Sequence, residues 1–273
     1  MHKRYLSSPI AVAIVVAIGC GGGRPQEAAA TTDRSAPQHK TEQPIQLAQA
    51  LEASEAPAAG GSTVKGTIHF DGTAPKPEAI KMDADPVCQQ QHKEVVHKED
   101  VVVNPNATLK NVFVYVKDGV KGTYPTPTTP AVLNQSGCWY QPHILGIQVN
   151  QPLEIVNSDS TLHNINAKPK VNVPFNIAQP VKGMKTTKTF AKPEVMVRFK
   201  CNVHPWMSAY MGVVPHPFFS VSDAQGKFTI TGLPAGTYTI EAWHEVYGTQ
   251  TQTVTVADGA TTELEFSFTA STQ

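Results

Sequence analysis

From residue 63 onward, apolar and polar positions alternate in short runs, and turn residues separate the runs. The segments TYTIEAW (237–243) and TELEFSF (262–268) show the alternation most clearly. An apolar residue at every second position is typical of a strand with one face buried and one face in solvent. The predicted strands cover residues 64–70, 101–103, 111–117, 143–149, 153–157, 185–190, 195–200, 219–221, 227–231, 237–243, 251–256 and 263–268.

The order of strands and turns predicts an all-β fold. Tight turns are expected at DAQG (223–226) and PAG (234–236), where glycine and proline interrupt the alternation. Proline accounts for 22 of the 273 residues, above the usual ~5%, which also disfavours a helical bundle. We predict two β-sandwich units, one over residues 63–215 and a smaller one over residues 216–273.

The N-terminus has the pattern of an export signal. Lys3 and Arg4 precede nine consecutive apolar residues, far fewer than the ~20 that a membrane-spanning helix needs. The run ends in AIGC, which resembles a bacterial lipobox and implies cleavage before Cys20 and lipid attachment to it. The alternative is ordinary cleavage nearby with a free cysteine. We therefore expect a signal peptide over 1–19 and a periplasmic protein that lipidated Cys20 anchors to a membrane.

Residues 20–62 contain no aromatic residue and many Ala, Gly, Pro and Gln. Such a segment buries too little apolar surface to offset the entropy lost on ordering. We predict a disordered linker that tethers the folded units, with a short helix possible near residues 45–56.

Charge and motifs exclude several functions. Lys and Arg number 22, as do Asp and Glu, so the chain has no excess of cations for binding nucleic acid. The sequence has no P-loop, no dinucleotide-binding fingerprint and no nucleophile elbow. It has no C-x-x-C-H motif, which excludes covalent c-type haem.

One segment carries metal-binding chemistry. The stretch FKCNVHPWMSAYM places Cys201, His204 and Met207 within seven residues, directly after the predicted strand 195–200. A second histidine, His163, follows the predicted strand 153–157. One cysteine, two histidines and a weak axial methionine are the ligand set of an electron-transfer copper site. Soft sulfur suits Cu(I), and imidazole suits both oxidation states.

This stretch resembles the type 1 (blue) copper proteins of the cupredoxin family, with the short ligand loop of amicyanin. The resemblance covers residues 140–215 and implies a Greek-key β-sandwich that binds copper. Its ligands would be His163, Cys201, His204 and Met207, and Asn164 would brace the cysteine-bearing loop. Zinc also accepts a Cys/His/His set, but a placed methionine favours copper. Met211 is an alternative axial ligand that we assign to packing.

The resemblance also implies where electrons leave the protein. In small copper proteins the C-terminal ligand histidine faces solvent and apolar residues around it form a docking patch. Pro205, Trp206 and Tyr210 would supply that patch here, or would instead fill the core.

The remaining cysteines are Cys88 and Cys138. An even pair in an exported chain predicts a disulfide, which would close a loop of 50 residues. A metal site is the alternative, because His92 and His97 follow Cys88.

Residues 219–268 resemble a different family. The pattern D-x-x-G-x-F-x-I followed by L-P-x-G-x-Y is similar to the carboxypeptidase regulatory-like (transthyretin-like) β-sandwich, which is not catalytic. About 50 residues are too few for the whole module. The strands at 64–70 and 111–117 therefore belong either to the copper unit or to this C-terminal sheet.

Together these features predict a non-enzymatic carrier of single electrons. Its partners would be redox proteins such as a c-type cytochrome or a periplasmic oxidoreductase. The alternative is a non-catalytic binding or structural lipoprotein of the cell envelope, with copper stored or vestigial. We expect no Cys–His nucleophilic enzyme, because the sequence shows no orienting acid, oxyanion hole or substrate cleft.

Overall fold

The computed structural model describes residues 61–270, so the expected signal peptide, the lipidation at Cys20 and most of the linker lie outside the described residues. Within this range no helix is long and apolar enough to cross a membrane. Sixteen strands and one short helix make up the described part: β1 (Ser62–Asp71), α1 (Pro86–Gln90), β2 (Phe113–Asp118), β3 (Ala131–Gln135), β4 (Tyr140–Gln141), β5 (Ile144–Gln148), β6 (Leu153–Asn157), β7 (His163–Lys168), β8 (Phe175–Gln179), β9 (Lys185–Lys188), β10 (Glu194–Lys200), β11 (Ser208–Val214), β12 (Phe219–Val221), β13 (Lys227–Leu233), β14 (Gly236–His244), β15 (Gly248–Val256) and β16 (Thr261–Thr269).

Two of the four sheets form a first sandwich. One has the order β13-β1-β16, and the other has the order β12-β2-β14-β15. Strand β1 runs antiparallel to β13 and parallel to β16. Alternate apolar side chains from both sheets meet in one buried core that includes Ile68, Val114, Phe228, Ile240 and Phe266.

The first sandwich contains strands from both ends of the described chain. Strands β1 and β2 precede residue 216 but pair only with strands that follow it. They therefore complete the C-terminal sandwich, and the expected division into 63–215 and 216–273 does not follow the sheets. The physical reason is pairing, because without β1 the facing edges of β13 and β16 would expose unpaired backbone groups.

The other two sheets form a second sandwich. Their orders are β5-β11-β10-β7-β8 and β4-β3-β6-β9. Strand pairs β5–β11 and β3–β6 are parallel, and the others are antiparallel. A second core lies between these sheets and includes Leu133, Ile155, Val197, Phe199 and Met211. The predicted all-β fold of packed sheets is confirmed.

The two sandwiches contact each other closely where two glycines pair. Gly146 of β5 lies opposite Gly212 of β11. A Cβ atom on Gly212 would lie 2.3 Å from the ring of Phe113, and one on Gly146 would lie 2.4 Å from the ring of Phe219. Only glycine leaves room for these two aromatic rings of the C-terminal sandwich against β5 and β11.

Candidate metal centre

His163 is the first residue of β7, which lies between β10 and β8 in the five-stranded sheet. Its backbone pairs with Gln179, and its side chain is fully buried. The turn that follows β6 leads directly to this position. A histidine at the start of an inner strand has little freedom to move.

Cys201, His204 and Met207 lie in the loop that joins β10 to β11. The backbone N–H of Cys201 donates to Met207 O at 3.2 Å, and that of Met207 donates to His204 O at 2.9 Å. The N–H of His204 donates to Cys201 Sγ at 3.3 Å. All three side chains are at most 2% exposed. The loop is thus closed on itself by its own backbone.

The donor atoms of three predicted ligands converge. Nδ1 of His163 lies 3.0 Å from Nδ1 of His204, and Cys201 Sγ lies 3.9 Å from the same His204 atom. One donor atom from each residue lies within 4.8 Å of the other two. A buried thiol and two imidazoles at this spacing fit a soft or borderline metal ion. Met207 and Met211 are both buried in the core that contains Cys201.

The thiol of Cys201 is activated by its surroundings. Burial alone would raise its pKa, but hydrogen bonds from His163, His204 and the backbone of Asn164 and His204 lower the pKa to about 6. A thiol with this pKa is mostly thiolate at neutral pH, and the thiolate is the form that binds metals.

Asn164 connects three segments around the loop. Its Oδ1 accepts a hydrogen bond from the backbone N–H of Asn202 at 2.5 Å. Its Nδ2 donates to Oδ1 of Asn176 in β8, also at 2.5 Å. The side chain therefore lies where a brace for the cysteine-bearing loop would have to lie.

Each histidine of the cluster also contacts a carboxylate through its far nitrogen. Asp159 Oδ2 lies 2.8 Å from Nε2 of His163, and Asp85 Oδ2 lies 2.9 Å from Nε2 of His204. Burial raises the pKa of each carboxyl, but the hydrogen bonds with histidine and backbone outweigh it and lower both values. Both carboxylates are therefore ionised and accept hydrogen bonds.

Neither aspartate was predicted as part of the site. Asp159 could have been found as an acid four residues before a ligand histidine. Asp85 before Pro86 has the pattern of a helix N-cap followed by proline at the first helical position. It is the N-cap of α1, but nothing local connects it to a histidine 119 residues away.

Cys88 and Cys138 form a disulfide with an S–S distance of 2.01 Å. The bridge lies against the cluster, with Cys88 Sγ 3.5 Å from Nε2 of His204. The histidines of the alternative metal site lie elsewhere. The side chain of His92 hydrogen-bonds to Gly137 O, and the backbone of His97 forms an isolated β-bridge with that of Ala79. Neither belongs to a metal-ligating cluster of the described residues.

The expected exit edge at His204 differs from the structure. His204 is only 2% exposed, because the segment that carries Asp85 and α1 covers its Nε2 edge. Trp206 is half-buried, with its ring 5.1 Å from that of His204. Pro205 is exposed, whereas the ring of Tyr210 packs 5.2 Å from that of Trp243 in the C-terminal sandwich. These residues therefore do not surround an exposed histidine edge.

Comparison with known proteins gives two kinds of similarity. Residues 216–269 match the family model of the carboxypeptidase regulatory-like domain. No curated protein matches the chain.

Among solved structures, the chain is similar to copper proteins, each over about a third of its length. A copper-containing nitrite reductase from Thermus scotoductus SA-01 is 25% identical over 36% of this chain, with a TM-score of 0.28. This chain covers only 25% of that reductase. A Cu(I) mutant of amicyanin is 19% identical over 31% of this chain and 81% of its own, with a TM-score of 0.28. A purple cupredoxin from Nitrosopumilus maritimus is 22% identical over 30% of this chain and 98% of its own, with a TM-score of 0.27.

Proposed function

We propose that the chain is a type 1 copper protein that carries single electrons between redox partners. The observation that carries the proposal is the convergence of His163, Cys201 and His204, whose donor atoms lie within 4.8 Å of one another in a buried site. Met207 would be the weak axial ligand. Copper bound there would alternate between Cu(I) and Cu(II), and so accept and release one electron.

The surroundings of the cluster suit a carrier because they resist rearrangement. The loop from Cys201 to Met207 is hydrogen-bonded to itself, and carboxylates hold both imidazoles. Burial keeps water away from the thiolate. Ligands that stay in place when the charge changes keep the cost of electron transfer low.

A catalytic role for Cys201 is the alternative to metal binding. The sequence showed no orienting acid, but in the structure Asp85 contacts His204. Cys201, His204 and Asp85 therefore follow the order of nucleophile, base and orienting acid. Cys201 is only 1% exposed, however, and a substrate cannot reach its sulfur. We propose a non-catalytic role.

The proposed setting is the bacterial periplasm, with the protein anchored to a membrane through Cys20. Its partner would be a redox protein such as a c-type cytochrome or a periplasmic oxidoreductase. Leu162 and Val203, which precede the two ligand histidines, are 40% and 43% exposed and line one shallow groove with Asn164. We propose that this apolar surface, instead of the covered edge of His204, contacts the partner.

Addition of Cu(II) to the purified protein tests the proposal. We expect one copper per chain and an intense visible thiolate-to-copper band that disappears on reduction and returns on oxidation. Cys201→Ser should abolish the band, because a hydroxyl is not a soft anionic ligand at neutral pH. His92→Gln, which removes a histidine outside the cluster, should keep it. A colourless, redox-silent complex would contradict the carrier function and favour the binding or structural lipoprotein with stored or vestigial copper.

A further inference from the structure

We propose that Asp85 is a positioning residue of the metal centre: it orients His204 and strengthens that imidazole as a ligand for Cu(II). The inference rests on the proposed copper function. Its basis is the 2.9 Å contact between Asp85 Oδ2 and His204 Nε2, with Nδ1 of the same ring directed at the cluster. The inference assigns the proton of His204 to Nε2, which faces an oxygen that also accepts the Thr161 hydroxyl, and leaves Nδ1 free to bind metal.

The carboxylate of Asp85 is itself held in place from several sides. Oδ1 accepts the backbone N–H of Val87 at 2.8 Å and that of Cys88 at 3.4 Å. Oδ2 also accepts the hydroxyl of Thr161 at 2.8 Å. A carboxylate with donors on both oxygens cannot swing away from the histidine. It therefore fixes the ring plane and does not merely neutralise a charge.

The disulfide connects this arrangement to the second histidine. Cys88 donates its N–H to Asp85, and Cys138 donates its N–H to Asp159 at 2.8 Å. Each half of the bridge thus holds the carboxylate that contacts one histidine. The segment between β1 and β2 lies outside the ligand loop. Its role in this arrangement is to supply Asp85.

The chemical consequence is a preference for the higher oxidation state. A carboxylate on the far nitrogen increases the basicity of an imidazole ligand, and the more highly charged Cu(II) gains more from it than Cu(I) does. Loss of such a partner costs about 10- to 100-fold in metal affinity. We expect Asp85→Asn to weaken Cu(II) binding by about 10-fold or more and Cu(I) binding less. A 10-fold difference between the two states would raise the reduction potential by about 59 mV.

The variant separates this role from helix capping. Asparagine caps helices about as well as aspartate, so Asp85→Asn should keep α1. Its amide nitrogen cannot accept the hydrogen bonds that Oδ2 accepts from Thr161 and His204, so the thermal unfolding midpoint of the metal-free protein should fall slightly. Asp83→Asn is the matched control, because it removes the same charge from an exposed position two residues away. Thr161→Val keeps the carboxylate but removes its hydroxyl donor. It should shift the potential by a smaller amount than Asp85→Asn does.

The measurements are Cu(II) and Cu(I) affinities by competition with chelators, the reduction potential, and ¹⁵N NMR of His204 in the metal-free protein. The inference predicts a protonated Nε2 on His204 in the parent. It is overturned if Asp85→Asn retains the parent's affinities and potential, or if that nitrogen carries no proton. Should Asp85→Asn fail to fold, an unchanged potential in Thr161→Val overturns it. A parent that develops no visible band refutes the proposed function, and the NMR result still decides the contact.

Discussion

The imidazole of His143 hydrogen-bonds to the carboxylate of Glu245 in a buried contact between the two sandwiches. His143 precedes β5, and Glu245 lies in the turn between β14 and β15. The other ring nitrogen, Nδ1, lies 3.1 Å from the carbonyl oxygen of Ser208. Both ring nitrogens therefore face acceptors, which is the environment of a protonated imidazole. This pair links the sheet that contains the ligand loop to the C-terminal sandwich.

The ion pair predicts a pH-dependent stability. Burial lowers the pKa of His143, but Glu245 outweighs it and raises the value above 6.5. The stabilisation is complete below pH 6.5 and is lost as the pH rises through the raised folded-state pKa. We expect His143→Gln to cost about 3 kcal/mol in free energy of unfolding at pH 6 and clearly less at pH 9.

Denaturant unfolding of the parent and of His143→Gln between pH 5 and pH 9 measures this effect. His69→Gln is the matched control, because His69 pairs with Glu265 at 3.5 Å on the surface. That variant should change stability by less than about 1 kcal/mol at any pH. A cost for His143→Gln that stays constant or grows with pH would rule out the charged pair.

Most strands of the fold could be predicted because their alternation is strongly apolar. Strand β6 (Leu153–Asn157) and strand β12 (Phe219–Val221) were predicted at their observed bounds. Strand β7 was missed, since Ile165 is the only large apolar residue in HNINAK and its other buried residues are His163, Asn164 and Ala167. Strand β11 was missed because its residues had been assigned to the ligand motif.

The residues of the candidate site also divide into those that could be predicted from the sequence and those that could not. Ligands within one loop follow from spacing, and His163 follows from its position after a strand. Asp85 could not be predicted, because its contact with His204 depends on where the segment between β1 and β2 packs. Burial of the His204 edge follows from the same segment. Tertiary packing, which leaves no periodic trace in the sequence, determines both.

The disulfide predicts equal stability losses for its two cysteines. Cys88→Ala and Cys138→Ala remove the same cross-link over a sequence separation of 50 residues, which the chain-entropy model values at about 4 kcal/mol. The double variant should cost about as much as either single variant. Denaturant unfolding gives the free energies, and each single variant should titrate one thiol more than the parent. A single variant with parental stability, or thiol counts that differ between the two, would contradict the pairing.

The exposed surface beside the ligand loop predicts slower electron exchange when it is charged. Val203 is 43% exposed, and Val203→Asp places a charge in the proposed contact without removing a ligand. We expect the rate of electron exchange with a reduced c-type cytochrome to fall by about 10-fold, which corresponds to about 1.4 kcal/mol. Val246→Asp, at 53% exposure in the C-terminal sandwich, should leave the rate unchanged. If Val203→Asp and Val246→Asp exchange electrons at the same rate, the partner contacts the protein elsewhere.

The axial position gives the last prediction. Met207 and Met211 are both fully buried beside Cys201, but only Met207 lies in the ligand loop. A long, weak thioether tunes the potential without holding the metal, because the thiolate and two imidazoles carry most of the binding. Met207→Gln introduces a harder oxygen ligand. It should favour Cu(II) and lower the reduction potential while copper stays bound.

Met211→Gln is the matched comparison. Met211 lies on β11 opposite Val197, so its substitution should leave the potential nearly unchanged. It should instead destabilise the protein by about 1–3 kcal/mol, because it buries an amide. Redox titration and thermal unfolding of both variants beside the parent separate these effects. A large drop in potential for Met211→Gln, with none for Met207→Gln, would reverse the assignment of the axial ligand.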